Sequence, residues 1–247
     1  MEVNLVSQRR WSTAAVGLAV FAAIGCSGQK VTTKSSSELA RFPIRTLALV
    51  PFTALTTPQV RGLGDPYFAT PQSVRQSDIS VAVPSSAELP LRQTVTVPDY
   101  AAEKVTQLFW NRLRAREGIV VLSPSESTRV LSDDAGLAKA TSEAVGAAVA
   151  TRLKAGASLV GQVLVFRERV GSRLGADPPA AVGFEVKVVA SDGTVLWIGN
   201  YYERQRPMTE DMLGFLQRWG AFVTAEELAQ YGVDELLKEF PFGSLSK

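Results

Sequence analysis

Histidine is absent from this chain of 247 residues, and cysteine occurs once, at Cys26. Histidine is the most common general base and metal ligand near neutral pH, so carboxylates, lysine, tyrosine or serine would have to take these roles. One cysteine excludes an intrachain disulfide and a thiolate metal cluster. A glycine-rich phosphate loop is also missing, because Gly62-Leu63-Gly64 lies in a proline-rich stretch and opens no helix. We therefore predict a protein that is not an enzyme and that holds no cofactor or metal.

An excess of charge of one sign is missing as well. Lys and Arg total 26, and Asp and Glu total 24. Nucleic-acid binding usually requires clustered basic residues, so we predict no nucleic-acid partner. No residue pattern indicates a small-molecule substrate. The composition is 46% hydrophobic and 20% charged, which is typical of a globular domain.

The hydrophobic run near the N-terminus is short. Arg9 and Arg10 precede Ala14 to Ile24, whose residues are all apolar or glycine. A membrane-spanning helix needs about 20 apolar residues, so this run fits the core of a signal peptide instead. The run is followed by Gly25-Cys26.

This junction resembles the cleavage site of bacterial lipoproteins, whose usual pattern is Leu, a small residue, Gly or Ala, and then Cys. Gly25 and Cys26 match the pattern, whereas Ala23 and Ile24 differ from the usual residues. The resemblance implies that residues 1–25 are a signal peptide and that Cys26 carries acyl chains such as palmitate. Ser27 after the anchor implies the outer membrane, with the protein on its periplasmic side. The alternative is an ordinary secretory signal in which Cys26 has no special role.

The residues after Cys26 are polar. Ser27 to Glu38 is rich in Ser and Thr and has no hydrophobic periodicity. Such composition is typical of a flexible linker, so we predict a lipidated tether over residues 26–43 with a reach of roughly 20 Å.

A single α/β domain is predicted over residues 44–247, with a mixed sheet, helices packed on it and further helices at the C-terminus. Apolar runs and alternating patterns predict the strands, and helical spacing with capping boxes predicts the helices. The predicted strands are 45–52, 119–122, 158–166, 180–190 and 194–203, and the predicted helices are 99–116, one starting at 124, 143–155, 208–219 and 224–240. Asp192-Gly193 is a favoured hairpin turn, so the last three strands form an antiparallel meander.

A long excursion rich in Pro, Ser and Thr separates the first strand from the first helix, over residues 53–97. Two pieces of it alternate, Asp78 to Val83 and Gln93 to Val97. They form a small hairpin, add to the sheet edge, or belong to a loosely packed surface segment.

The order of these elements, together with Asp192-Gly193-Thr194-Val195-Leu196-Trp197, resembles outer-membrane lipoproteins with the curli-secretion-protein-like α/β fold. That group includes CsgG-like secretion lipoproteins, LpoB-like activators of peptidoglycan synthases and the N-terminal domain of TolB, and the resemblance covers about residues 44–205. The chain is also similar to uncharacterised proteobacterial lipoproteins. The resemblance implies a lipid-anchored binding or scaffold protein of the cell envelope that faces the periplasm and has a protein partner. The alternative is a subunit of a CsgG-like secretion pore.

Two groups of side chains are candidates for a site. The first is a set of charged residues at the ends of two predicted strands, which is typical of a solvated ion-pair cluster; an acid–base site with Glu168 and Glu203 is the enzymatic alternative. The second is the pair Tyr201 and Tyr202, which point to opposite faces of one strand, so one of them is expected outside the core. The predicted partner contacts are Tyr201, Tyr202, Arg167 and Arg169, and the charged set is Arg167, Glu168, Arg169, Glu203, Arg204 and Arg206.

Overall fold

The structure is a computed structural model that describes residues 30–57, 59–60, 94–218 and 220–245. The predicted signal peptide and Cys26 lie outside the described residues. The strands are β1 (Val31–Ser35), β2 (Thr46–Leu49), β3 (Thr53–Ala54), β4 (Gln59–Val60), β5 (Thr94–Val95), β6 (Arg116–Glu117), β7 (Val120–Leu122), β8 (Ala157–Arg167), β9 (Ala181–Ala190), β10 (Val195–Arg204) and β11 (Ser244–Leu245). The α-helices are α1 (Asp99–Leu113), α2 (Pro124–Ser132), α3 (Ser142–Arg152), α4 (Met212–Gln217) and α5 (Ala225–Lys238), and short 3₁₀ turns span Leu39–Arg41 and Ala135–Lys139.

One mixed sheet organises the domain. Its strand order is β1-β10-β9-β8-β2-β7, and β3 pairs with β8 beside it. The strands β2, β7 and β8 are parallel, whereas β8, β9, β10 and β1 are antiparallel neighbours. The predicted mixed sheet and the antiparallel meander are therefore confirmed. The Asp192 carboxylate accepts a bond of 2.9 Å from the Thr194 amide in the predicted turn, and Gly193 has a φ of 91° there.

One face of the sheet is covered by α1 and α5. A row of aromatic rings crosses this core: Phe109 contacts Phe52 at 5.0 Å and Phe184 at 5.7 Å between ring centroids, and Phe184 contacts Tyr201 at 5.2 Å. The inward residues of β9 alternate as predicted, and all are fully buried: Val182, Phe184, Val186 and Val188. We refer to this side of the sheet as the core face.

The opposite side of the sheet is packed with small aliphatic residues at one end. There α3 packs on β8 and β9 through Val149, Val160 and Val189, and Val130 of α2 joins the same cluster. The capping box predicted at Ser123 is present, with the Ser123 amide donating to Glu126 at 2.7 Å. We refer to this side of the sheet as the outer face.

The predicted tether is wrong for Val31–Ser35, which forms the edge strand β1. Val31 pairs with Tyr201 and Ser35 with Trp197 in antiparallel register. Threonine is well accommodated in a half-exposed strand, so the polar composition that suggested a linker suits an edge strand equally. The ordered domain therefore begins well before residue 44.

The long excursion is described only at its two ends. Gln59 pairs with Val95 and Val60 with Thr94, so β4 and β5 form a small antiparallel pair. The piece from Asp78 to Val83 lies outside the described residues, and so does most of the segment on which the secretion-pore alternative depends.

The C-terminal residues are fastened to the domain by Arg116. Its buried guanidinium donates to the carbonyls of Leu237, Phe242 and Gly243 at 3.2, 3.0 and 2.9 Å. These carbonyls lie at or beyond the negative end of the α5 dipole, which favours a cation. The helix predicted to reach residue 116 therefore ends at Leu113, because Arg116 is used in β6.

Candidate functional site

A surface of mixed aromatic and cationic character lies on the outer face, toward β10 and away from α3. In the strand register Tyr202 is opposite Gly183, and Arg204 is opposite Ala181. Arg167 is opposite the same Ala181 from the other side. Tyr202, Arg167 and Arg204 therefore surround two small residues, and we name these five residues the Tyr202 surface.

The geometry of the Tyr202 surface follows from the small residues at its centre. A Cβ atom on Gly183 would lie 3.0 Å from Tyr202 Cδ2, so the tyrosine ring rests against the bare backbone of β9. Tyr202 is 57% exposed, and both arginines are half-buried. Tyrosine and arginine are enriched among the residues that dominate binding energy in protein interfaces. The arrangement is suited to contact with another protein.

Tyr201 lies on the opposite side of the same strand, where it is 1% exposed in the core. Its hydroxyl donates to the Glu203 carboxylate at 2.7 Å. Burial, together with the negative charge of Glu203, raises the pKa of the Tyr201 hydroxyl far above its usual range. This tyrosine is a buried hydrogen-bond donor, and it cannot reach a partner while α5 covers it.

Glu203 is the centre of a buried charge cluster. Its Oε1 accepts a hydrogen bond from the Arg218 guanidinium and lies 3.2 Å from Lys30 Nζ. Both Glu203 and Arg218 are buried, and the Arg218 guanidinium stands 5.0 Å from the centre of the Tyr231 ring. Two cations and one hydroxyl thus compensate the buried carboxylate, as a charge in a core requires.

Gln205 continues the same inward series. Its amide nitrogen donates to the Ala221 carbonyl at 2.6 Å, and its amide oxygen accepts from the Val223 amide at 2.9 Å. The inward residues at the end of β10 therefore hold the connection to α5 in place. The outward residues Tyr202 and Arg204 lie on the opposite face of the sheet.

The predicted cluster of charged residues is divided by the structure. Glu168 accepts a hydrogen bond of 3.1 Å from the Ala225 amide at the start of α5. The positive end of the helix dipole stabilises a carboxylate at this position. Glu203 is buried with Arg218, so the expectation of a solvated ion pair is wrong for this residue. Arg169 lies after β8, and its guanidinium donates to the Gly171 carbonyl at 3.4 Å. Partner contact at Tyr202, Arg167 and Arg169 remains a prediction.

A cavity of about 580 Å³ opens on the outer face beside α3. Its lining is mostly aliphatic, including Leu137 and Val145, with Lys187 among its polar groups. Lys187 Nζ lies 2.8 Å from Glu143 and 3.0 Å from Glu185, so two carboxylates already compensate its charge. The hydrogen bond from Lys187 lowers the pKa of Glu143 to about 2.

Within the described ranges, no group of three or more His, Cys, Asp and Glu side chains could hold a metal ion. None of the helices described is both long enough and apolar enough to cross a membrane.

Three solved structures to which the chain is similar are distant from it in sequence. The PelC dodecamer from Paraburkholderia phytofirmans is 14% identical, with a TM-score of 0.41, and the match covers 84% of this chain and 93% of that one. Lipoprotein GNA1162 from Neisseria meningitidis is 12% identical, with a TM-score of 0.37 over 71% and 94% of the two chains. The LpoB C-terminal domain from Salmonella enterica is 10% identical, with a TM-score of 0.33 over 65% and 83%. No protein-family model matches the sequence, and no curated protein matches it significantly.

The TM-scores of these three structures are below 0.5, so conclusions about function rest on the residues of this chain. Sequence reasoning placed Arg204 in the charged set but not among the partner contacts, and it missed Arg218 altogether. The period of two along β10 places Arg204 with Tyr202, and this signal was available. Arg218 gave no such signal, because its partner Glu203 becomes its neighbour only after the chain folds.

Proposed function

We propose that this protein is a lipid-anchored, non-enzymatic binding protein of the cell envelope, and that the Tyr202 surface is where its protein partner binds. The observation that carries the proposal is the exposure of Tyr202 on the same face as Arg167 and Arg204. The preceding residue, Tyr201, is buried in the core. A large, half-exposed aromatic ring on the same sheet face as two arginines offers both apolar contact and directed hydrogen bonds.

The anchor in this proposal is Cys26, acylated after removal of residues 1–25, with the domain on the periplasmic side of the outer membrane. Its support is the sequence pattern around Gly25-Cys26 and the position at which the chain enters the fold. The carbonyl of Lys30 accepts a hydrogen bond of 3.0 Å from the Tyr202 amide, so Lys30, four positions after Cys26 in the sequence, lies next to the proposed binding surface. A partner would therefore be met close to the membrane.

Site-specific photo-crosslinking tests the binding surface. A photoreactive phenylalanine analogue replaces Tyr202 in the acylated protein, and crosslinks are formed in intact envelopes. The matched control is the same replacement at Tyr100, which is 52% exposed and lies on α1 on the core-face side of the sheet. We expect one reproducible crosslinked protein from position 202 and none from position 100. The absence of a reproducible crosslinked protein at position 202 would contradict the proposed role of the Tyr202 surface.

Replacement of Cys26 tests the anchor separately. We expect Cys26→Ser to move the protein from the membrane fraction to the soluble fraction. The N-terminal peptide should then lack the mass that acylation adds. If the Cys26→Ser protein stays in the membrane fraction without acylation, the proposed anchor is contradicted.

A further inference from the structure

Five exposed apolar side chains lie in two connections of the chain that leave the same end of the sheet. One connection joins β8 to β9, and the other joins β10 to α5. The exposed residues are Val170 (61%), Leu174 (91%), Met208 (51%), Met212 (59%) and Leu216 (57%). We name this set the apolar end.

Direct contacts hold the two connections together. The Phe222 amide donates to the Arg173 carbonyl at 2.8 Å, which joins the second connection to the first. The rings of Phe215 in α4 and Phe222 are 5.6 Å apart, so α4 packs against the same junction. Arg173 also lies 3.6 Å from Glu227 at the start of α5. The apolar end is therefore one region of the folded domain.

The chain enters the domain at this same end. Lys30 Nζ lies 3.9 Å from the carboxylate of Asp211, the residue directly before α4. Only Ser27, Gly28 and Gln29 separate Lys30 from Cys26. An extended chain spans at most about 3.3–3.6 Å per residue, so the Cys26 sulfur is limited to a distance of roughly 15–20 Å from the Lys30 backbone. An acylated Cys26 would hold the apolar end at the bilayer surface.

We propose that the apolar end rests on the membrane, with these five side chains in the interfacial layer of the bilayer. The inference rests on the lipid anchor of the proposed function and adds the orientation of the domain. Exposed apolar side chains gathered at one end of a domain mark an interaction site, and the short connection to the anchor selects the lipid surface over a distant partner. Apolar contact of this kind adds to the membrane affinity of the acyl chains.

Depth-dependent quenching tests the orientation in the acylated protein, reconstituted into vesicles of phosphatidylethanolamine and phosphatidylglycerol. Leu174→Cys and Met212→Cys each provide one free thiol for an environment-sensitive dye, since the Cys26 sulfur is consumed in its thioether. The control is Ser191→Cys, which is exposed in the turn between β9 and β10 at the other end of the sheet. We expect a blue shift and strong quenching by lipids spin-labelled near the headgroup at positions 174 and 212, and neither at position 191.

The outcomes separate this inference from the anchor. If mass spectrometry confirms acylation and positions 174 and 212 behave like position 191, the orientation is overturned and the anchor stands. If Cys26 is not acylated, the proposed anchor fails, and the orientation fails with it. If the blue shift depends on protein density and dyes on neighbouring copies contact one another, the apolar end joins two copies of the chain, and the membrane contact is refuted. Leu174 is almost fully exposed, so its replacement tests the surface with little effect on folding.

Discussion

The two faces of β10 carry similar residues in different surroundings. On the core face, Tyr201 and Glu203 are covered by α5 and by the connection that precedes it, and they are 1% and 4% exposed. On the outer face, Tyr202 is 57% exposed beside Arg204. Both faces therefore offer an aromatic ring and a charged group within three consecutive positions. The comparison shows that the covering helix, and not the residue type, decides whether such a pair stabilises the fold or is available for binding.

The largest expected difference between the two faces is that between the two tyrosines. Tyr201→Ala removes a buried ring and leaves the Glu203 carboxylate with one hydrogen-bond donor fewer, so we expect a loss of about 3–5 kcal/mol in the free energy of unfolding. Tyr202→Ala is the matched control and should change it by no more than about 0.5 kcal/mol. Urea denaturation of both variants measures the difference. Equal losses would mean that the outer face is covered as well.

Removal of the charge from the buried cluster should have the next largest effect. Glu203→Ala leaves Arg218 buried without its carboxylate, which typically costs about 3 kcal/mol. The control is the exposed pair of Arg112 and Asp234, whose side chains are 44% and 41% exposed at 2.5 Å separation. Asp234→Ala should cost about 0.2–1 kcal/mol. Denaturant titration measures both losses in the free energy of unfolding. Similar losses would mean that the cluster around Glu203 is not shielded from solvent.

Gly232 of α5 tests how tightly the helix covers the core face. Alanine is usually better than glycine inside a helix by about 1 kcal/mol. Here a Cβ atom would lie 2.6 Å from Cζ of the Tyr201 ring, so we expect Gly232→Ala to destabilise the domain by about 1–3 kcal/mol. The clash depends on one ring, so the loss should shrink in a Tyr201→Ala background. A stabilising Gly232→Ala would show that α5 can move away from the sheet.

The smallest expected effect is a pH dependence on the outer face. The Lys187 ammonium lowers the pKa of Glu143 from 4.5 to about 2 in the folded protein. The unfolded chain therefore binds this proton more readily, and the stabilisation is complete above pH 4.5 and is lost as the pH falls toward 2. Glu143 is partly exposed, so solvent screening should limit the effect to less than about 1 kcal/mol. Thermal unfolding between these pH values should show a shallower slope for Glu143→Gln than for the unmodified chain.

Local patterns predicted the parts of the fold that depend on neighbours in sequence. The alternation over residues 180–190 identified β9, and the capping boxes at Ser123 and Thr224 identified the starts of α2 and α5. Both signals are complete within a few residues. The edge strand β1 could not be predicted in this way, because its polar residues become a strand only through pairing with β10, more than half the chain away.

The candidate site likewise has some features that local patterns predict and others that depend on long-range packing. The period of two along β10 predicts that Tyr201 and Tyr202 face opposite sides. It cannot say which side is covered, since that depends on α5 packing on the Tyr201 side. The buried partners of Glu203 and the carbonyls that bind Arg116 are likewise set by long-range packing. The sequence pattern therefore placed Glu203 in a solvated ion-pair cluster and Arg116 at the end of a helix.

The pairing of β1 with β10 also determines how the domain responds to mechanical load. The connection to β10 begins at Lys30, whose carbonyl accepts a hydrogen bond from the Tyr202 amide, and continues with the Val31–Tyr201 pair. Tension applied through the N-terminal segment is therefore transmitted at once to this strand pair, and through Tyr201 and Glu203 to α5. A pull on the N-terminal segment would be borne by the edge of the sheet before any helix is displaced, so rupture of β1 would be the first step of forced unfolding.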